Sequence, residues 1–144
     1  MVFLGEYSCP ARGGRLTIPA EFRTGLGGGL VLTRGIEDCL VIYPIEEWQN
    51  FVEKVRSRLP ITSHDARAFK RLVFSAAVFS VPDQRGRIPL PDDLRRYAGI
   101  EDEAVFVGLC ACLEVWSPQR WQETALEVVR QGTAVAERLS HLGI

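Results

Sequence analysis

The residues best suited to chemistry in this 144-residue chain are its arginines. Of 17 Lys and Arg residues, 15 are Arg, leaving Lys54 and Lys70. Arg is the planar, multi-donor cation that fits carboxylates, phosphates and base edges. A GC-rich genome would produce the same bias, so composition leaves the question open. Placement is more informative. Gly14-Arg15-Leu16-Thr17-Ile18-Pro19-Ala20-Glu21-Phe22-Arg23 recurs as Gly86-Arg87-Ile88-Pro89-Leu90-Pro91-Asp92-Asp93-Leu94-Arg95, offset by 72 residues. In each copy an Arg (Arg15, Arg87) follows a turn glycine (Gly14, Gly86) and opens a short strand. Arg12 and Arg23 accompany the first copy, and Arg85, Arg95 and Arg96 the second. Two explanations are level on this pattern alone: a nucleic-acid contact, and surface salt bridges duplicated with the rest of the unit.

Other chemistries find little support. Cys110-x-Cys112 is too closely spaced for the usual zinc pair, and Cys9 and Cys39 have no nearby His. Reduced, partly buried thiols are expected, with no metal site. His64 and His141 are the only histidines and both sit in polar helical contexts, which disfavours a Ser/His/Asp arrangement. The carboxylates Glu46-Glu47, Asp92-Asp93 and Glu101-Asp102-Glu103 are read as helix starts, where dipole and solvation roles suffice. Gly27-Gly28-Gly29 follows a predicted helix and lacks a GK[ST] ending, so it is a loop rather than a phosphate cradle. No catalytic residue, cofactor or small-molecule substrate is nominated, and the chain is not expected to be an enzyme.

The elements that must position the arginines follow from the duplication. A second block, Leu40-Val41-Ile42-Tyr43-Pro44-Ile45-Glu46-Glu47-Trp48, aligns with Leu113 to Trp121 at an offset of 73. A unit of this size is too short for a good core alone, so the copies should share one core about a pseudo-two-fold axis. Each copy reads as strand, turn, strand, short helix and hairpin. Val2–Leu4 and 77–79 enter; Pro10, Gly13-Gly14, Pro82 and Gly86 mark turns. Leu16–Ile18 and Ile88–Leu90 form short strands, with Pro89 at an edge or end. Pro19 and Pro91 open helices that Gly27 and Gly99 cap, with Phe22/Leu26 and Leu94/Ala98 packing inward. Leu30–Leu32 with Leu40–Tyr43, and 104–107 with 113–116, read as hairpins. A helix from Pro44 to Leu59 ends at Pro60, and a second, capped by Thr62-Ser63, runs to Phe74. The last helix starts at Ser117-Pro118 with the stripe Trp121, Ala125, Val128, Val135, Leu139 and Leu142, and Gly132 is a place for it to bend. The stripes are expected to pack on the barrel or on a neighbouring subunit.

A formal net charge of -1 gives no global attraction to nucleic acid or membrane, so any DNA contact must be a local patch. No run approaches a membrane span, and the start Met1-Val2-Phe3-Leu4-Gly5-Glu6 does not read as a signal peptide. A cytoplasmic protein is the expectation.

The doubled Gly-Arg-[Leu/Ile]-x-[Ile/Leu]-Pro-x-x-[Phe/Leu]-Arg motif resembles the swapped-hairpin barrel repeats of the SpoVT/AbrB superfamily. With Tyr43-Pro44-Ile45-Glu46-Glu47-Trp48 after the first copy and a long helical tail, the whole chain resembles the MraZ family of bacterial transcriptional regulators. The resemblance implies a mixed α/β (α+β) fold: a pseudo-symmetric, double-split β-barrel from two repeats (5–47 and 77–120), with a helical connector (48–76) and a C-terminal helix (121–144). It implies a nucleoid-associated repressor, assembled as a homo-oligomeric ring on promoter direct repeats of double-stranded DNA upstream of its own division and cell wall operon.

The family signature Asp-x-x-x-Arg is matched by Asp83-Gln84-Arg85-Gly86-Arg87, the carboxylate being expected to hold the guanidinium bidentately. The first copy departs from it, with Ala11 where Asp is expected. Arg15 and Arg87 are assigned to base readout, and Arg12, Arg23, Arg85, Arg95 and Arg96 to phosphate positioning. Two other readings remain. One is an oligomeric interaction scaffold whose arginines make intersubunit salt bridges. The other is an antitoxin-like barrel, against which the periodic last helix argues.

Overall fold

The computed structural model describes residues 2–143. Met1 of the N-terminal stretch and Ile144 of the last segment lie outside the described residues. The strands are β1 (Glu6–Pro10), β2 (Arg15–Thr17), β3 (Leu30–Arg34), β4 (Leu40–Pro44), β5 (Val78–Ser80), β6 (Arg87–Pro89), β7 (Glu103–Gly108) and β8 (Leu113–Trp116). The helices are α1 (Ala20–Arg23), α2 (Ile45–Arg58), α3 (His64–Phe74), α4 (Asp92–Ala98) and α5 (Pro118–Arg138). The fold is mixed α/β.

The copies exchange strands. A six-stranded antiparallel sheet runs β1-β7-β8-β4-β3-β5, and β2 pairs with β6 in a separate ribbon. Each copy's first strand therefore pairs with the other copy's hairpin, β1 on β7 and β5 on β3. Register locates the symmetry axis. In the ribbon Leu16 faces Ile88, and in the central pair Val41 faces Glu114. Both are pairs of equivalent positions, so the pseudo-two-fold axis passes through both. The ribbon and the larger sheet enclose one core, to which Leu16, Ile18, Leu30, Leu40, Ile88, Leu90, Leu113 and Val115 all belong. Two sheets around this core are the form the expected barrel takes.

Phe22, Leu26, Leu94 and Ala98 are buried as the i, i+4 spacing predicts. Pro19 and Pro91 sit at the N-cap, one residue before the helix proper. Gly99 ends α4 in the left-handed conformation (φ 67°). Gly27 does not do this; α1 tightens into a 3-10 turn and Gly27 stays right-handed (φ -62°). Val2–Leu4 is not a strand. Phe3 makes one isolated bridge to Cys110, and its buried ring packs edge-on against Phe22 at 5.7 Å. Pairing begins only after Gly5 (φ 87°) has turned the chain, and it runs through Pro10, which ends β1 instead of marking a turn. Glu101-Asp102-Glu103 leads into β7, not into a helix.

After the first copy, α2 and α3 pack through Tyr43, Trp48, Phe51, Phe69 and Phe74, with adjacent ring centroids 5.2–6.3 Å apart. The Ser63 side chain caps α3 by accepting the Ala66 N–H at 3.2 Å. Among the described residues the second copy has no counterpart to α3. Its helix α5 runs without interruption through Gly132, and no α5 residue is buried. The stripe expected to pack on the barrel leaves it after Trp121 and Ala125, which are half-buried. Val128, Val135, Leu139 and Leu142 are exposed.

Leu16 and Ile88 are both fully buried on the axis. Ile88→Ala or Leu16→Ala should each lower stability by about 2–5 kcal/mol, against about 0.5–1.5 for Ile88→Val. Urea unfolding checks this; a loss well under 1 kcal/mol for the alanine variants would mean the ribbon is not packed on the core.

Candidate nucleic-acid interface

Side chains alternate across a strand. On the ribbon this puts Leu16 and Ile88 into the core and Arg15, Thr17, Arg87 and Pro89 on the outer face. Arg15 pairs with Pro89, and Thr17 with Arg87. The two arginines thus share one outward surface as diagonal neighbours across the axis, a Cα separation of about 7–8 Å in such ribbons. Two further bonds tie the copies together here: the Ile18 N–H donates to the Gly86 carbonyl and the Leu90 N–H to the Gly14 carbonyl, each at 2.8 Å.

The turns leading into the two arginines differ. In the second copy Asp83 organises the turn. Its Oδ1 accepts the backbone N–H groups of Arg85 and Arg87, both at 2.9 Å, and its Oδ2 accepts Arg87 Nε at 3.1 Å. These bonds, led by the Arg87 backbone N–H, hold the carboxyl below its ordinary value of 3.8. The expected bidentate fork is not formed. The carboxylate spends one oxygen on the backbone and takes only Nε, so both Nη groups of Arg87 are without a protein partner among the described residues.

In the first copy Ala11 is buried and belongs to the core. With no carboxylate to accept it, the Arg15 N–H donates to the Arg12 carbonyl at 3.0 Å. That bond closes a turn whose central residues, Gly13 (φ 62°) and Gly14 (φ 71°), are both left-handed. Such a pair of dihedrals suits glycine, and Gly13 stands where the second copy has Arg85. The side chains of Arg12 and Arg15 have no hydrogen bond or ion pair among the described residues.

The other nominated arginines divide. Arg85 is exposed, and its side chain is likewise unpaired among the described residues. Arg23 donates from Nε to the Ile18 carbonyl at 2.9 Å and lies against Gly86, where a Cβ would clash with its guanidinium. Arg95 binds Asp92 Oδ1 through Nε (3.0 Å) and Nη2 (2.5 Å), and Arg96 Nη2 reaches Asp92 Oδ2 at 3.2 Å. Arg95 is the chief cause that holds the Asp92 carboxyl below its ordinary range. Arg12, Arg15 and Arg85 are therefore outward cations with no side-chain partner among the described residues, Arg87 is outward with its Nε on Asp83, and Arg23, Arg95 and Arg96 are engaged within the chain.

Thr17 shares the outer face and was not nominated; its i, i+2 spacing from Arg15 was the available signal. Arg120 is a structural cation that the sequence did not reveal, donating from Nη1 to the Asp38 and Tyr97 carbonyls at 3.0 Å. Both histidines are exposed. Burial pushes the thiols of Cys39 and Cys112 up to about 12 and about 11, far from reactive values.

Gly86→Ala combines a positive φ (75°) with the clash on Arg23, whereas Gly14→Ala meets open space. The first should cost about 2–3 kcal/mol and the second about 1, measured by urea unfolding. Asp83→Ala should destabilise at neutral pH. The folded pKa of Asp83 is depressed, so its contribution is present above 3.8 and is lost as pH falls through the lowered folded value. The gap between wild type and Asp83→Ala should therefore close in acid; a gap that is constant with pH would show that the carboxylate charge contributes nothing.

The family model described as "MraZ protein, putative antitoxin-like" matches residues 2–72 and again 73–140. A relative from Thermomicrobium roseum is 46% identical over 142 residues, covering 98% of this chain and 99% of its own. Relatives from Moorella thermoacetica (45% over 139 residues, 96% of each chain) and Acetivibrio thermocellus (41% over 145 residues, 99% of this chain and all of the relative) are similar throughout. All three carry the name "Transcriptional regulator MraZ". With the motif duplicated, the strands exchanged between copies and both matches spanning nearly the whole chain, this protein belongs to the MraZ family.

Proposed function

We propose that this chain is a sequence-specific DNA-binding repressor that reads the major groove with its β2–β6 ribbon. The observation that carries the reading is the shared outward placement of Arg15 and Arg87. A major groove about 12 Å wide admits a two-stranded ribbon, and an Arg with free Nη groups can pair bidentately with guanine O6 and N7. The seven nominated arginines divide by their engagement. Arg15 and Arg87 enter the groove. Arg12 and Arg85, at the turns beside them, meet phosphate. Arg23, Arg95 and Arg96 contribute positive potential behind the ribbon while holding the α1 and α4 ends. Asp83, Gly14 and Gly86 support the motif.

A chain of net charge -1 gathers little phosphate attraction alone, so the reading includes assembly. Copies of the ribbon on neighbouring direct repeats gain by effective concentration. The uncovered apolar face of α5, with Val128, Val135 and Leu139 exposed, gives the homo-oligomer a surface to bury. The ring form, the direct repeats upstream of a division and cell wall operon, and a place on the nucleoid come from the family resemblance. Among the described residues no helix is long and apolar enough to cross a membrane. The role is regulatory rather than enzymatic.

Footprinting on the DNA upstream of the protein's own coding region, with light-scattering mass and a salt titration, tests this. The expected result is a periodic protected region, a multi-subunit mass, and affinity that falls steeply with salt. The Arg15→Ala/Arg87→Ala double variant should stay assembled and lose specific binding. An assembled wild-type protein with no DNA affinity would favour the scaffold.

A further inference from the structure

We infer that the two halves of the ribbon are unequal readers, with Arg87, positioned by Asp83, discriminating bases, and Arg15 and Arg12 gripping phosphate, so that each subunit reads an asymmetric site in one direction. This rests on the DNA-binding reading and adds to it a division of labour that pseudo-symmetry alone would forbid. Equal halves related by a two-fold axis would call for a palindromic target, as two-fold-symmetric dimers do. The axis through Leu16 and Ile88 relates the backbones, but the turns beside it are chemically different.

Base readout needs a guanidinium held in one orientation, because two parallel hydrogen bonds tolerate little angular error. Arg87 meets this requirement. Asp83 fixes its N–H and its Nε while leaving both Nη groups outward. Arg15 does not. Ala11 supplies no acceptor, and the turn that replaces the carboxylate is built of two glycines. Electrostatics point the same way. The first turn carries Arg12 and Arg15 with no acid among residues 11–15, whereas the second carries Arg85 and Arg87 against Asp83. The first turn thus has the freer side chains. That suits a phosphate, whose oxygens accept from many directions and carry no sequence information.

The test is selection of binding sites from a duplex library randomised over 20 base pairs, followed by titration of the selected duplex and its single-base variants. Wild type, Arg15→Ala, Arg87→Ala and Asp83→Asn are compared. Asp83→Asn keeps an Oδ1 acceptor for the two backbone N–H groups but cannot accept Arg87 Nε, so it separates positioning of the side chain from folding of the turn. Wild type should return a non-palindromic consensus. Arg15→Ala should keep that consensus, with weaker binding to every duplex and a salt slope shallower by about 1. Arg87→Ala should lose about 5- to 150-fold of discrimination at one or two base pairs. Asp83→Asn should lose part of the same discrimination at the same positions, with a wild-type salt slope. A palindromic consensus, or an Arg15→Ala protein that loses discrimination at mirrored positions, would overturn the division of labour while leaving DNA binding intact. A wild-type protein that enriches no sequence would remove the DNA-binding reading itself.

Discussion

The pairing of β2 with β6 is the constraint on which the rest of the structure depends. Each strand is three residues long and could not persist alone. Together they bury Leu16 and Ile88 against a common core, and the bonds from Ile18 to Gly86 and from Leu90 to Gly14 lock each copy's turn to the other copy's strand end. Both turn glycines are therefore held from across the axis. The outward face of the ribbon follows as a by-product of strand alternation: once Leu16 and Ile88 point inward, Arg15 and Arg87 have to point outward.

Within that frame the two copies have drifted in ways that trade one local device for another. Asp83 closes its turn with a carboxylate; the first copy closes the equivalent turn with backbone and a second glycine. Both solutions satisfy the N–H of the arginine that follows, so the fold tolerates either. They differ in what they leave for the guanidinium. Asp92 shows a second use of an acid, pairing with Arg95 and Arg96 on the surface of α4.

Much of this architecture was legible in the sequence because it rests on strong local signals. The repeated Gly-Arg-x-x-x-Pro pattern marked the two short strands and the short helices, the apolar runs at Leu30–Leu32 and Leu40–Tyr43 marked a hairpin, and Ser63 and Pro60 bounded α3 and α2. β1 was illegible because Glu6-Tyr7-Ser8-Cys9-Pro10 is a short, mostly exposed edge strand that ends on a proline and has no apolar run; its alternation rests only on Tyr7 and Cys9. The apolar Val2–Leu4 drew attention instead, although only Phe3 is buried there. At the candidate site the key arginines could be named, but not their engagement. Arg23, Arg95 and Arg87 look alike in a sequence, and only coordinates show that the first lies on Gly86, the second on Asp92, and the third offers its ends to solvent.

The exchange of strands also has a bearing on synthesis. β2 has no partner until β6 emerges 72 residues later, and β4 lacks β8 for just as long. The first half thus leaves the ribosome with open ladders and an unfinished interior, and it must wait. Long-range pairing of this kind slows collapse to the native state and exposes sticky intermediates. The α2–α3 hairpin, held by local aromatic contacts, can form in the interval and keeps that half of the chain occupied until its counterpart arrives.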